Sequence, residues 1–422
     1  MTANFSTETG DGFPGLENKD KGNLFIPREG FHLLDRLVTS ARTMAPQLTE
    51  WRHHLHAYPE VSFQEVETTA WLAGFMERWG IPYTRPAATG LVGVIEGSRP
   101  GPTIALRADI DALPMQELNT FEFASKRPGA MHACGHDGHT AVLLGLAKFF
   151  SENRDFPGKI VLLFQHAEEK APGGAKSFVE AGALEGVSAC LGLHFSSQDV
   201  TGTAHIAAGP ITANSDSWTA VIKGKGGHGA APHRTIDAVM VACNAVVNLQ
   251  TVVARKVDPI QPAVLTVGSI HGGTTFNIIA DEAELKGTVR TYDRAVRQQV
   301  HDELIRTLES TCAMYGATVE VSYIWGYPAL VNHEGMTELL KTTAVEVFGA
   351  DKVKKQVPLM GGEDFAYYAE KVPSAFLFVG ARNAEVGAEF EHHHPRFTID
   401  DAALPYGMEL LGRAALKLLV DK

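Results

Sequence analysis

Cysteine is scarce in this chain. Its 422 residues include four cysteines, scattered at positions 134, 190, 243 and 312 without paired spacing. A disulfide framework of the kind that holds small secreted domains together is not expected at this size and density, and a reducing compartment fits the composition better.

The chain also has fewer positive than negative charges and lacks long apolar runs. The chain has 37 Lys and Arg against 49 Asp and Glu, a formal net charge of −12, which argues against nucleic acid or an anionic membrane surface as a partner. No apolar run reaches the roughly 20 residues that span a bilayer. The first 29 residues lack the apolar core of a secretory signal. We therefore expect a cytoplasmic protein.

The periodicity of apolar residues predicts the fold class. At 422 residues the chain exceeds the usual size of one domain, so two are expected. Apolar runs at 103–106, 160–164 and 189–193 are typical of buried strands, and helical patterns such as 140–150 separate them. This alternation predicts an α/β fold in which helices cover both faces of a mixed, largely parallel sheet.

The pattern changes between about residues 215 and 323. Strand and helix signals there follow the order β-α-β-β-α-β, which is that of a ferredoxin-like α+β unit. The unit is predicted to be an insert, because a strand-like run at 376–379 and a histidine-rich segment follow it and return to the first sheet. The predicted division is a flexible N-terminal arm at 1–29, a discontinuous catalytic domain at 30–212 and 326–422, and the inserted unit at 213–325.

The stretch from Met131 to His139 holds most of the chemistry. Its nine residues, MHACGHDGH, include three histidines, a cysteine and an aspartate, all side chains that bind first-row transition metals. The Cys134-Gly135-His136 step does not fit one face of a helix, and glycine favours a turn that lets side chains converge on one ion.

Three later segments could complete such a site. Carboxyl ends of strands are where open α/β sheets bind ligands, so side chains that follow different strands are expected to meet at one edge. Taken alone, each of these segments has an ordinary reading as polar strand-end or loop residues. They are the pair Glu168-Glu169, the single His194, and His392-His393-His394 before Pro395.

Two chemical interpretations compete for this cluster. In the first, one carboxylate of the Glu168-Glu169 pair binds metal and the other takes a proton from water, whose pKa a divalent ion lowers from about 15.7 to about 7. In the second, Cys134 is the nucleophile of a thiol hydrolase. The second leaves the glutamate pair and the distant histidines without a role, so the sequence favours a metal-dependent hydrolase.

With these residues in view, the chain resembles the M20 metallopeptidase family, in its amidohydrolase (M20D) branch of N-acyl-amino-acid, hippurate and auxin-conjugate hydrolases. The resemblance spans about residues 31–415 in the family's order. The matching motifs are LRADIDALP from Leu106, MHACGHDGHT from Met131, QHAEE from Gln165, GLH from Gly192, GKGGHGAAPH from Gly224, MGGEDF from Met360 and the final HHPRF.

The resemblance implies a di-metal peptidase-like catalytic domain and makes the insert a dimerisation or lid domain. It implies a homodimer, two divalent ions (zinc, manganese or cobalt) and an N-acyl or N-aroyl amino acid as substrate. Glu168 would be the general base. The implied metal ligands are Cys134, His136, Glu169, His194 and His393, the last chosen over His392 because it stands two residues before the proline.

The inserted unit carries two further residues implied to bind substrate, His228 and Asn277, which would reach the site of the partner subunit. From the residues alone, His228 lies in a glycine-rich turn without the spacing of a phosphate loop, and Asn277 reads as a turn residue. His166 and Ala280 replace prolines that are usual in the branch. A dipeptidase or carboxypeptidase of the same family, or a non-catalytic protein that binds acyl-amino acids, are the alternative functions.

Overall fold

The computed structural model describes residues 28–420. The predicted N-terminal arm lies outside the described residues, except that positions 28 and 29 belong to the first helix. The helices are α1 (Arg28–Thr43), α2 (Ala45–Ala57), α3 (Val66–Arg78), α4 (His136–Glu152), α5 (Gly174–Glu180), α6 (Ala238–Lys256), α7 (Arg294–Met314), α8 (Glu334–Phe348), α9 (Ala366–Ala369) and α10 (Ala403–Val420).

Sixteen strands complete the described part of the chain. They are β1 (Tyr83–Thr84), β2 (Leu91–Glu96), β3 (Arg99–Asp109), β4 (Pro157–Gln165), β5 (Ala189–Val200), β6 (Ala204–Ile206), β7 (Gly209–Thr212), β8 (Asp216–Lys223), β9 (Gly227–His228), β10 (Ala263–Gly272), β11 (Ile278–Ile279), β12 (Glu282–Thr291), β13 (Thr318–Ile324), β14 (Leu330–Asn332), β15 (Val353–Lys355) and β16 (Ser374–Arg382).

The larger sheet has eight strands in the order β1-β2-β4-β3-β5-β16-β6-β15. Its centre is parallel, from β4 through β3 and β5 to β16, whereas β1, β2 and the pairing of β6 with β16 are antiparallel. Neighbouring residues along the central strands face opposite cores: Leu162 packs with α4 and α10, and Leu163 with α5 and α9. The predicted mixed sheet with helices on both faces is confirmed.

The second sheet has four antiparallel strands in the order β10-β12-β8-β13 and a separate apolar core beneath α6 and α7. Its elements follow the chain as β8-α6-β10-β12-α7-β13, the order predicted from the sequence. The chain enters and leaves at one point, where the N–H of Gly326 donates to the carboxylate of Asp216 (2.9 Å). The division into domains at residues 213 and 325 stays a prediction.

Helix α6 has an unusual composition. It is the one helix of the described chain that is long and apolar enough to cross a membrane by length and composition, which is weak evidence because core helices pass the same test. Its side chains Val241, Ala245 and Leu249 are buried in the core of the four-stranded sheet. This face gives the helix a packing role within the fold.

The carboxyl ends of β3 and β4 lie side by side and position the polar clusters. Asp109 is the last residue of β3, and Glu168 follows the end of β4 by three residues. His194 was predicted to end its strand, but β5 continues to Val200 because β16 pairs with it, with Phe378 opposite His194. His194 still lies at the same edge, since the pairing of β3 with β5 stops at Gly192.

Candidate active site

The turn before α4 brings metal-binding side chains together. Gly135 precedes the helix with a φ of 96°, a left-handed conformation that glycine adopts without a steric cost. Cys134 therefore stands just outside the helix and His136 is its first residue. The backbone N–H of His393 donates to the carbonyl of Ala133 (2.8 Å), so the C-terminal histidine segment is fixed to this turn.

The five side chains expected to bind metal converge. The sulfur of Cys134 lies 3.4 Å from Nε2 of His194. Oε1 of Glu169 lies 3.2 Å from Nε2 of His393 and 3.9 Å from Nε2 of His136. Two sets of three, Cys134 with His136 and His194, and Cys134 with Glu169 and His393, each have ligand atoms within 4.8 Å of one another.

The polar atoms of this cluster that lack a hydrogen-bond partner are of the kind that bind a cation. Nδ1 of His136 donates to the backbone carbonyl of Asp111 (3.0 Å), so in the neutral imidazole Nε2 is the acceptor and faces the cluster. Nε2 of His136 and Oε1 of Glu169 are buried, and neither has a hydrogen-bond partner among the described residues. Buried acceptors without partners are costly, and a metal ion would satisfy both of them.

His392 and His393 point to different places. His393 has a φ of 64°, unusual for a residue other than glycine. Its Nε2 lies 3.2 Å from Oε1 of Glu169, and this carboxylate raises the pKa of His393. His392 is half-buried, and its Nε2 accepts a hydrogen bond from the N–H of Ser197 (3.2 Å). The left-handed turn at His393 therefore brings that imidazole, and not that of His392, into contact with the carboxylate.

Glu168 lies beside this cluster, close to other carboxylates. The residue is 7% exposed, and Oε2 is 4.0 Å from Nε2 of His136. Burial, together with the carboxylates of Glu363 and Glu169, raises the pKa of Glu168 well above its ordinary value, while Arg107 opposes the shift. A carboxylate with a raised pKa holds a proton more readily, which is the property that a general base near neutral pH needs.

A buried ion cluster lies behind Glu168. The guanidinium of Arg107 donates to Asp109 (2.8 Å), Asp364 (2.7 Å) and Oε1 of Gln165 (2.9 Å), and it is 3.0 Å from Glu363. The sequence predicts Asp109 as a polar strand-end residue among the candidate ligands, but it assigns no role to Arg107, Gln165, Glu363 or Asp364. The signal that could have identified them is an arginine inside an otherwise apolar strand, because a buried guanidinium requires carboxylate partners.

The surroundings of Cys134 bear on the thiol-nucleophile interpretation. Burial, together with Glu169 and Glu168, raises the pKa of the Cys134 thiol well above its ordinary value. Burial and the neighbouring His139 lower the pKa of His194, so this imidazole supplies no positive charge to the sulfur. Cysteine nucleophiles need the opposite, a depressed pKa beside a cation. Ligation of a metal ion, which deprotonates a thiol, fits this environment better.

The cluster opens into a cavity of about 470 Å³. Its walls combine the metal-type ligands with apolar and polar side chains that could contact a substrate, namely Arg290, Tyr327, Gln356, Leu359, Phe376 and Phe378. A larger cavity of about 800 Å³ lies between the two sheets, lined by residues such as Arg297, Trp325 and Tyr367. None of the clustered histidines or cysteine borders it, so the smaller cavity is the candidate active site.

The two predicted substrate-binding residues lie elsewhere. His228 and Asn277 are exposed on the two-stranded ribbon of β9 and β11, where the N–H of Gly229 donates to the carbonyl of Asn277 (2.9 Å). Neither lines the cavity of its own chain. The ring of Phe276, next to Asn277, is fully exposed.

His166 also lies outside the cavity lining. Its buried ring packs against Phe63 and Phe178, with centroid distances of 5.6 Å and 5.5 Å.

Comparison with known proteins identifies the family. The sequence pattern of the Peptidase family M20/M25/M40 matches residues 105–417, well over half of the chain. An N-acyl-L-amino acid amidohydrolase from Geobacillus stearothermophilus is 46% identical over 71% of this chain and 81% of its own. A thermostable carboxypeptidase 1 from Saccharolobus solfataricus is 39% identical over 89% of this chain and 96% of its own.

A solved structure agrees with these relatives. A dinuclear metal-binding peptidase of the M20 family from Bacillus subtilis is 35% identical, covers 90% of this chain and 99% of its own, and has a TM-score of 0.79. The expected fold class and the expected hydrolytic activity are thereby confirmed, and the convergent donor groups agree with metal binding. From its sequence match, its relatives and its fold, the chain belongs to the M20 metallopeptidase family.

Proposed function

We propose that this chain is a metal-dependent amidohydrolase that cleaves the amide bond of N-acyl or N-aroyl amino acids. The observation that carries the proposal is a convergence of donor groups beside Glu168. Nε2 of His136 and Oε1 of Glu169 are buried without a hydrogen-bond partner among the described residues, and three more donor side chains lie with them. The name of the Geobacillus relative, an N-acyl-L-amino acid amidohydrolase, supports the substrate class.

The residues that would hold two divalent ions are Cys134, His136, Glu169, His194 and His393. Three imidazoles, a thiolate and a carboxylate form a donor set suited to zinc, manganese or cobalt, and less to magnesium or calcium. Ions bound there would supply Lewis acidity, which polarises the scissile carbonyl and acidifies water.

Glu168 is assigned the proton transfers. Its carboxylate takes a proton from the water that attacks the amide carbon, and it returns that proton to the nitrogen when the carbon–nitrogen bond breaks. The products are an acyl acid and a free amino acid. The neighbouring carboxylates that raise the pKa of Glu168 favour the step in which the proton is held.

The cavity wall provides for both halves of such a substrate. Leu359, Phe376 and Phe378 offer apolar surface for an acyl or aroyl group, and Arg290 supplies a positive charge.

A second copy of the chain is proposed to supply His228 and Asn277. Both are exposed on a ribbon that also presents Phe276 and Ile278 to solvent. Exposed apolar side chains at such a tip are typical of a surface that another molecule covers. A homodimer in the cytoplasm is the proposed working form, and the four free cysteines agree with a reducing compartment.

Carboxypeptidase activity on short peptides is the second candidate, because the Saccharolobus relative carries that name. Hydrolysis of acyl-amino acids and of dipeptides, with each half of the substrate varied separately, distinguishes the two.

Replacement of Glu168 by glutamine tests the mechanism. We expect kcat to fall by about 1,000-fold while the metal content, measured by elemental analysis, stays at the wild-type value. Glu180→Gln, an exposed glutamate on α5, is the matched control and should leave kcat unchanged. Wild-type turnover in Glu168→Gln would contradict the assignment of Glu168 as the general base. Wild-type protein that binds acyl-amino acids without hydrolysing them would contradict the proposal that the chain is an enzyme.

A further inference from the structure

The backbone that carries the glutamate pair is held in place at three consecutive residues. Each contact comes from a buried or largely buried side chain of a different chain segment. The carboxylate of Glu65 accepts from the N–H of Ala167 (2.8 Å), the hydroxyl of Tyr327 donates to the carbonyl of Glu168 (2.6 Å), and the carboxylate of Asp111 accepts from the N–H of Glu169 (3.0 Å).

The contact at Glu65 is unusual in its backbone geometry. Among the described residues, three that are not glycine have a positive φ, namely Phe63 (67°), Ala167 (51°) and His393 (64°). Oε1 of Glu65 accepts a hydrogen bond from the N–H of Phe63 (3.0 Å) as well as from that of Ala167. A single oxygen atom therefore holds two of the three left-handed residues.

A left-handed alanine directly before Glu168 affects where that side chain points. Residues with a side chain disfavour this conformation, so it persists only when the surroundings impose it. If Ala167 relaxed to an extended or helical φ, the backbone of Glu168 would rotate and move its carboxylate away from Nε2 of His136, which now lies 4.0 Å away.

We propose that Glu65 is a positioning residue for the general base, acting through the left-handed backbone of Ala167. The inference rests on the role proposed above for Glu168. Glu65 is fully buried at the N-terminus of α3, about 100 residues earlier in the chain than Ala167, and it does not line the cavity. Its influence on turnover therefore passes through the backbone and not through contact with substrate.

Loss of the acceptor oxygen tests the proposal. Glu65→Met keeps the buried volume and removes the acceptor, and we expect kcat to fall by about 100-fold with KM within about three-fold of wild type. Glu65→Gln retains a carbonyl oxygen that accepts both N–H groups, so kcat should recover to within about three-fold of wild type.

Two double variants separate positioning from general stabilisation. Glycine adopts a positive φ without the clamp, so Ala167→Gly added to Glu65→Met should raise kcat by about ten-fold. Phe63→Gly added to Glu65→Met relieves the other left-handed residue held by the same oxygen, and it should leave kcat at the Glu65→Met value. The kcat values of the two double variants are compared with each other, so the test does not require Glu65→Met to fold by itself.

Equal kcat values in the two double variants, or an unchanged kcat in Glu65→Met, would overturn the positioning role. Failure of the function proposed for Glu168 would give a different result. Wild-type turnover in Glu168→Gln would remove the base from the mechanism whatever the Glu65 variants show.

Discussion

The hydroxyl of Tyr327 donates a hydrogen bond to the backbone carbonyl of Glu168, with 2.6 Å between the two oxygens. Tyr327 lies three residues after β13, on the segment by which the chain leaves the four-stranded sheet. Its ring is 6% exposed and borders the cavity. The segment that connects the two sheets is therefore in direct contact with the backbone of the proposed base.

Tyr327→Phe should lower kcat by about ten-fold. The variant keeps the ring but leaves the carbonyl of Glu168 without its donor, and a buried acceptor without a partner costs about 1–3 kcal/mol. The measurement is steady-state hydrolysis of an N-acyl amino acid. Tyr367→Phe is the control, since that neighbouring hydroxyl makes no hydrogen bond with the described residues. A wild-type kcat in Tyr327→Phe would show that this contact does not orient the base.

The metal content should determine the reactivity of Cys134. Burial and the two glutamates raise the pKa of its thiol, so we expect the sulfur to bind metal and not to act as a nucleophile. Chelation should abolish activity, and zinc, manganese or cobalt should restore it.

A thiol reagent provides the complementary test. The exposed Cys243 is first replaced by serine, so that its reaction does not confuse the result. In this background the metal-loaded enzyme should keep its activity after alkylation. Full activity in excess chelator, lost on alkylation, would instead identify Cys134 as the nucleophile.

Much of the site could be predicted because its ligands follow the ends of strands. Glu168 and Glu169 come just after β4, and parallel strands deliver such residues to one edge. His194 shows the limit of this reasoning. An apolar run predicts where a strand is buried, but β5 extends past the histidine because β16, almost 200 residues later, pairs with it.

Other features could be recognised only in the folded structure. The role of Arg107 depends on Asp364, which is 257 residues away, and no local pattern states that pairing. The left-handed φ of Ala167 was not predicted either, because alanine rarely adopts it and its cause, Glu65, lies about 100 residues earlier, just before α3. His228 is exposed and lies outside the cavity of its own chain, so its proposed role depends on the proposed second copy.

The two neighbouring histidines before Pro395 should behave differently when replaced by alanine. His393 contacts Glu169 and stands within reach of Cys134, so His393→Ala should lower the metal content and turnover together. His392 accepts from the N–H of Ser197, and His392→Ala should retain the metal with a weaker affinity, by about 10–100-fold, as for residues that orient ligands. Elemental analysis after dialysis distinguishes them. The reverse order of losses would place the ligand at His392.

Glu65 should give the folding stability a distinct pH dependence. Burial, with the nearby Asp111, raises the pKa of Glu65 from 4.5 to about 7 in the folded state. Between these values the unfolded chain has already lost the proton that the folded chain keeps, so the free energy of unfolding falls as the pH rises through this window.

Glu65→Gln removes the titration while it keeps an acceptor oxygen. Between pH 5 and pH 8 the wild-type protein should therefore lose about 2–3 kcal/mol of stability relative to Glu65→Gln. Urea unfolding at several pH values measures the difference, with the exposed Glu180→Gln as the control that should follow the wild-type curve. Parallel curves for wild type and Glu65→Gln would show that the buried carboxyl does not change its protonation across this range.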